Sequence, residues 1–316
     1  MKLNLRGSHA ESLTIDGSRN LYRVGASLGQ KCDLLYAVPF IKANPVNAST
    51  DSAANALYSM KVTVQSQNAA LPTTPGYYDN VSGANGMVEF TDGLASTDFL
   101  LARIGLQFKV LKIDARAGAQ GTAQDSYENR VYATSFAVLR MLDTEFAQGA
   151  GGAAPQKIVG LSTLAGNALP AADIEIAART LMANVTPNGT GAGDGIDCYF
   201  GGPGVMQRLI ATPSGQRGMS GWKVDRRTGR FLYHYMGIPY YRTNTGNDSV
   251  SGPLYGANLG GTGLNIVHTD GDADSFGLTV DEEDMSGNRA QRVVSVHGAY
   301  ALVLWETAGL KKCTGV

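Results

Sequence analysis

Four histidines, three cysteines and one run of closely spaced aspartates are the side chains of this 316-residue chain best suited to chemistry. Histidine titrates nearest to neutral pH, so it serves as general base or metal ligand. His9, His234, His268 and His297 lie far apart, and no two have the spacing that sets a pair of imidazoles on one helix face. His234 and His268 fall inside stretches that read as strands, where a satisfied or solvent-facing histidine is expected. No G-x-S-x-G elbow occurs. A Ser-His-Asp set assembles from distant segments and leaves no local mark, so a soluble α+β hydrolase using one of these histidines stands as the alternative from another class. Cys32, Cys198 and Cys313 form no CxxC pair and are too few for a disulfide framework. Three idle or buried thiols in a reducing compartment are expected, with an inter-subunit disulfide at Cys313 as the sharper alternative.

Asp270, Asp272, Asp274 and Asp281 occupy positions one, three, five and twelve of a twelve-residue stretch, the carboxylate spacing of a calcium loop. The glycine that such a loop needs at position six is Ser275, and position twelve is aspartate where a bidentate glutamate is usual. Both flanks read as strands instead of helices, so an acidic turn is the expectation. Thr190–Gly195 (Thr-Gly-Ala-Gly-Asp-Gly) has the look of a phosphate cradle without its lysine and hydroxyl. It neither follows a strand nor opens a helix, as a dinucleotide fingerprint does. A surface loop is expected. No catalytic, cofactor-binding or metal-binding residue is therefore assigned.

The elements that would position any site are clearer than the site. Residues 1–55 lack sustained periodicity and read as an extended arm with short strands at Asn20–Val24 and Leu34–Ile41. Leu57–Val64 alternates as a strand should, and so do Met87–Phe90 and Phe99–Ile113. Between them, Gln65–Gly86 carries Pro72, Pro75, Gly76, Asn80, Gly83, Asn85 and Gly86, a dense run of turn formers. This describes a long β-hairpin. An isolated hairpin is marginal in water, so the arm is expected to lean on a partner.

Asp125–Gln148 is the strongest helical signal. Asp125 and Glu128 make a capping-box-like start, Val131, Ser135, Val138, Leu142 and Phe146 recur at helical spacing, and Gly149–Gly152 ends the run. Tyr132, Phe136 and Leu139 widen the apolar stripe beyond what one neighbour needs. After a Gly-Ala linker at 149–154, Lys157–Leu161 reads as a strand turning at Gly160. A second helix runs from Pro170 or Ala171 to Val185, and Asp197–Phe200 is a buried strand. A third helix starts behind Pro203, whose missing amide costs nothing in a first turn, and ends near Ala211. Phe231–Thr243, Leu264–Thr269, Phe276–Val280 and Arg292–Glu306 make the last third β-rich. No repeat of 20–50 residues marks a solenoid or propeller.

Composition narrows the class of function. The 26 basic and 27 acidic side chains cancel to a net charge of −1, and the pI is near 6.4, unlike the strongly basic balance of a dedicated nucleic-acid binder. No apolar stretch approaches the ~20 residues of a membrane helix, and no secretory signal is expected at the start. Charged residues make up 17% of the chain against about 25% in ordinary domains, and glycine is 40 of 316 residues. Interface cores are depleted in charge, so much of this surface is expected to be covered by other protein.

The order of elements, together with Ile158–Leu161 after the long helix, Tyr235-Met-Gly-Ile-Pro-Tyr240 and the closing β run Arg292–Thr307, resembles the Hong Kong 97-like major capsid proteins of tailed bacteriophages, whose fold encapsulin shells share. The resemblance implies an α+β fold with an N-terminal arm (1–56), an extended β-hairpin loop (57–113), a peripheral domain with a spine helix (114–165), and an axial domain with return strands (166–316). It implies a non-enzymatic subunit that assembles with itself into hexamers and pentamers. These would close an icosahedral head around double-stranded DNA held by weak, non-specific contact, without a cofactor and without a membrane. Virion localisation after synthesis in the host cytoplasm follows, with separate scaffolding, portal and decoration proteins as further partners. An encapsulin-like compartment is the alternative within the same fold. Many family members carry a removable scaffolding segment ahead of the arm, whereas here the arm is expected almost from Met1. Some join a hairpin lysine to an asparagine covalently; Gln65–Phe90 contains no lysine, so no such cross-link is expected.

Overall fold

A computed structural model describes residues 33–43, 46–47, 60–67, 94–111, 123–153, 156–186, 195–218, 220–226, 228–243, 252–260, 263–272, 275–284 and 291–315. The expected strands at Asn20–Val24 and Met87–Phe90, most of the hairpin tip, residues 190–194, His9, Cys32 and Asp274 lie outside them.

In chain order the elements are α1 (Asp33–Ala37), β1 (Phe40–Lys42), β2 (Val46–Asn47), β3 (Met60–Gln67), β4 (Leu94–Leu111), α2 (Ala123–Gln148), β5 (Ala150–Ala153) and β6 (Gln156–Val159). There follow α3 (Leu161–Leu164), α4 (Ile174–Asn184), β7 (Cys198–Gly201), α5 (Pro203–Ala211), β8 (Gly221–Val224), β9 (Phe231–Tyr235) and β10 (Ile238–Arg242). The chain closes with β11 (Leu254–Ala257), β12 (Leu264–His268), β13 (Thr279–Asp284), β14 (Gln291–Leu304) and β15 (Leu310–Cys313).

Two sheets organise the molecule. The first is seven-stranded, ordered β1-β12-β14-β4-β3-β2, with β13 also on β14; the second is six-stranded, ordered β15-β11-β7-β10-β9-β8. Strand β14 shows why a two-residue period builds a layered sheet. Val294, Val296, Tyr300, Leu302 and Leu304 face the main core with α2, while Ala299, Ala301 and Val303 face a smaller cluster with Leu101 and Val267 on the other side.

Helix α2 is about 39 Å long at 1.5 Å per residue. Val131, Phe136, Val138, Leu139, Leu142 and Phe146 are buried, and so are Thr134, Ser135, Asp143 and Ala147. Arg130, Ala133, Ala137, Arg140, Met141 and Gln148 form a single exposed face. The wide apolar stripe thus becomes a helix covered round more than half its circumference, where polar side chains are buried along with apolar ones.

Two glycines let the chain reverse at the end of α2. A Cβ on Gly149 would stand 2.3 Å from the carbonyl oxygen of Ile158, and one on Gly160 would stand 2.6 Å from that of Glu145. The amide of Gly160 donates to the carbonyl of Gly149 at 2.7 Å. The expected linker at 149–154 is in fact half of a small hairpin, β5 against β6. Glycines carry no side-chain pattern, so periodicity had nothing to register there.

Other expectations are corrected. Leu34–Ile41 is not a strand throughout: residues 33–37 are helix α1, and only Phe40–Lys42 is β. Its apolar run Leu34-Leu35-Tyr36-Ala37-Val38 is too short to separate the two periods. The long hairpin forms, with Met60–Gln67 antiparallel to Leu101–Leu94, but its strands extend to Gln67 and start at Leu94. The arm also has a partner in its own chain, because Ala102–Leu111 of β4 pairs with Tyr300–Gln291 of β14. Phe231–Thr243 breaks into β9 and β10 at Met236 and Gly237, both at positive φ (51° and 87°), the backbone of a tight two-residue hairpin turn. Phe276 lies in a turn, and the strand expected from it begins at Thr279. Strands β8, β11 and β15, four residues each, had no expectation.

Candidate functional site

The three described histidines sit on three different strands. His234 is buried on β9, its Nδ1 3.2 Å from the carbonyl of Leu232. His268 ends β12, and its Nδ1–H donates to the carbonyl of Asp270 at 2.7 Å. His297 on β14 meets Asp281 on β13, Nε2 to Oδ2 at 2.7 Å, on an exposed face. Here an imidazole does meet a carboxylate of the aspartate run. The contact is a diagonal pair between neighbouring strands, since the register sets Thr279 opposite His297 and Asp281 opposite Ser295. The acidic turn itself is closed by Ser275, whose Oγ accepts from the amide of Asp272 and donates to the carbonyl of Asp272 or of Leu278. Among the described residues no group of three or more His, Cys, Asp or Glu is placed to hold a metal ion.

Cys198 and Cys313 are buried thiols. Burial pushes the Cys313 thiol above its ordinary pKa, and its Sγ lies 3.8 Å from the carbonyl of Ala177. A sulfur with no exposed surface cannot reach a neighbouring molecule, so the alternative of an inter-subunit disulfide at Cys313 is set aside.

Three structural features project from or pin this frame. The first is the hairpin arm. Strand β4 has 18 residues, about 60 Å at 3.3 Å each; its inner half pairs with β14 and, among the described residues, its outer half pairs only with β3. Leu100 and Leu106 on β4 are exposed at 39% and 51%.

The second is a buried ionic pin. Asp33 at the start of α1 has no exposed surface; Arg230 Nη1 stands 2.6 Å from its Oδ1, and Arg242 Nε and backbone N approach Oδ2 at 3.4 and 3.1 Å. The Arg230 guanidinium also lies over the Tyr36 ring, 5.1 Å from its centroid. Sequence periodicity cannot find such a pair, because its members are about 200 residues apart.

The third is an aromatic edge on the second sheet. Trp222 and Phe231 stack with centroids 5.9 Å apart, and Trp222 meets Tyr233 edge-on at 5.9 Å. Asp225 organises the turn beneath them: its Oδ2 accepts from Thr228 N, Thr228 Oγ1 and Tyr241 OH at 2.9, 2.6 and 2.8 Å. No reacting centre converges on these features. The arm and the aromatic edge present exposed apolar side chains, whereas the ionic pin is buried.

No protein-family model matches the chain, and neither does any curated protein. Solved structures do. Over 90% of its length the chain is similar to the holo-SrpI encapsulin complex of Synechococcus elongatus PCC 7942, with 12% identity, 86% of that chain covered and a TM-score of 0.57. It is similar over 97% of both chains to the capsid of the native GTA particle, at 14% identity and a TM-score of 0.53. A chain of Mycobacterium phage Adephagia matches over 90% of each, at 12% identity and a TM-score of 0.50. The described architecture, an α+β pair of sheets on one long helix with a projecting β-hairpin, is the Hong Kong 97-like fold.

Proposed function

We propose that this chain is the subunit of a closed protein shell and, within that class, the major capsid protein of a tailed-phage head. The observation that carries the reading is likeness across 90% or more of the chain to shell-forming proteins of one fold. The low charge content, expected where other protein covers much of the surface, supports it. In this reading residues 1–56 are the arm, 57–113 the extended loop, and 114–165 the peripheral domain around the spine α2. Residues 166–316 are the axial domain, from which β12, β13 and β14 return to the first sheet. The outer half of the hairpin lies across a neighbouring subunit, and hexamers and pentamers close the shell by summed non-covalent contacts. The chain catalyses nothing. Double-stranded DNA is enclosed by weak, sequence-independent contact, consistent with the near-zero net charge. Scaffolding, portal and decoration proteins complete the virion assembled in the host cytoplasm.

A second reading, an encapsulin-like compartment, is favoured by the TM-score of 0.57 to the Synechococcus shell. Negative-stain microscopy of the purified protein decides first: closed particles are expected, and a small oligomer at assembly concentrations would refute both readings. Nuclease-protected DNA in particles from the native source then supports the phage head, and a protein cargo without DNA supports the compartment.

A further inference from the structure

We draw no further inference here: the strongest candidate, the exposed apolar patch of Trp222, Val224 and Phe231 on β8 and β9 at the edge of the second sheet, carries nothing because no feature of the structure shows what covers it.

Discussion

The two sheets cover their apolar faces by different means. The seven-stranded sheet gathers strands from Phe40 to Leu304 and packs aliphatic side chains against the long helix α2. The six-stranded sheet is drawn mostly from residues 198–257, with β15 added, and is filled with tyrosine. Tyr199, Tyr235, Tyr240, Tyr241 and Tyr255 are among its largest fully buried side chains. Their hydroxyls need partners when buried: Tyr199 donates to the carbonyl of Ala178 at 3.2 Å, Tyr240 to that of Gly202 at 2.8 Å. The first sheet is held mainly by shape and hydrophobicity, with Tyr300 its one fully buried tyrosine, bonded to the carbonyl of Phe276; the second adds several such phenol hydrogen bonds, to a helix and to turns. A chain with few charges can thus still specify a unique core through phenols.

Asp33 couples the two regions, and its removal has the largest expected effect. Helix α1 buries Leu34 and Leu35 in the main core while Asp33 grips Arg242 at the end of β10 and Arg230 in the turn just before β9. Deleting one partner of a buried pair typically costs about 3–5 kcal/mol. Asp33→Ala is expected to lower the subunit's Tm sharply and to split one calorimetric transition into two. A single transition at the wild-type Tm would mean the pin carries no coupling.

Leu142→Ala tests the first region. Leu142 has no exposed surface, and such truncations cost about 2–5 kcal/mol. Gln148→Ala, at an exposed position, is the control and is expected to change stability little. Equal, small shifts would show that α2 is not a buried strut, and the shell reading built on it would fall.

Alkali separates the two sheets by their phenols. Burial pushes the Tyr255 phenol up to about 12 and those of Tyr199 and Tyr240 above their ordinary value. Tyr300 of the first sheet is raised likewise. The folded state holds these protons more tightly than the unfolded chain, so the contribution is complete below about pH 10 and is lost as pH rises from there toward the folded pKa. For a shift of about two units that is roughly 2–3 kcal/mol. Hydrogen exchange is expected to show the second sheet opening before the first as pH passes about 10. Simultaneous opening would place the alkali-sensitive groups elsewhere.

The smallest effect is predicted at the aromatic edge. Trp222 is half exposed, and substitutions at such surface positions stay mostly within about 0.5 kcal/mol. Trp222→Ser is expected to leave the isolated subunit's Tm almost unchanged. A large drop in Tm would make Trp222 a core residue of the subunit.

Much of this fold was legible because the signal was local. The spacing of Val131, Val138, Leu142 and Phe146 marked α2, alternation from Phe99 marked the inner part of β4, and Pro203 marked the first turn of α5. Strands β8, β11 and β15 escaped because, unlike the apolar run at β7, their four residues mix Gly, Lys and Ala with apolar ones and show no clear alternation. Strand β5 escaped because its central Gly151 and Gly152 carry no pattern. The exposed apolar edge was less legible still. Trp222, Val224 and Phe231 have the composition of any buried strand, and only the place where α4 and α5 stop leaves them bare.

The long helix, the long hairpin, the β-rich close and the shortage of charge were all fixed within the sequence, because each follows from periodicity or composition over a short stretch. Three features arose only in three dimensions: the division of β4 between two partners, the meeting of Asp33 with arginines about 200 residues away, and the bare end of the second sheet. Those outcomes depend on which distant segments share a core, and side-chain periodicity along the chain carries no information about its neighbours in space.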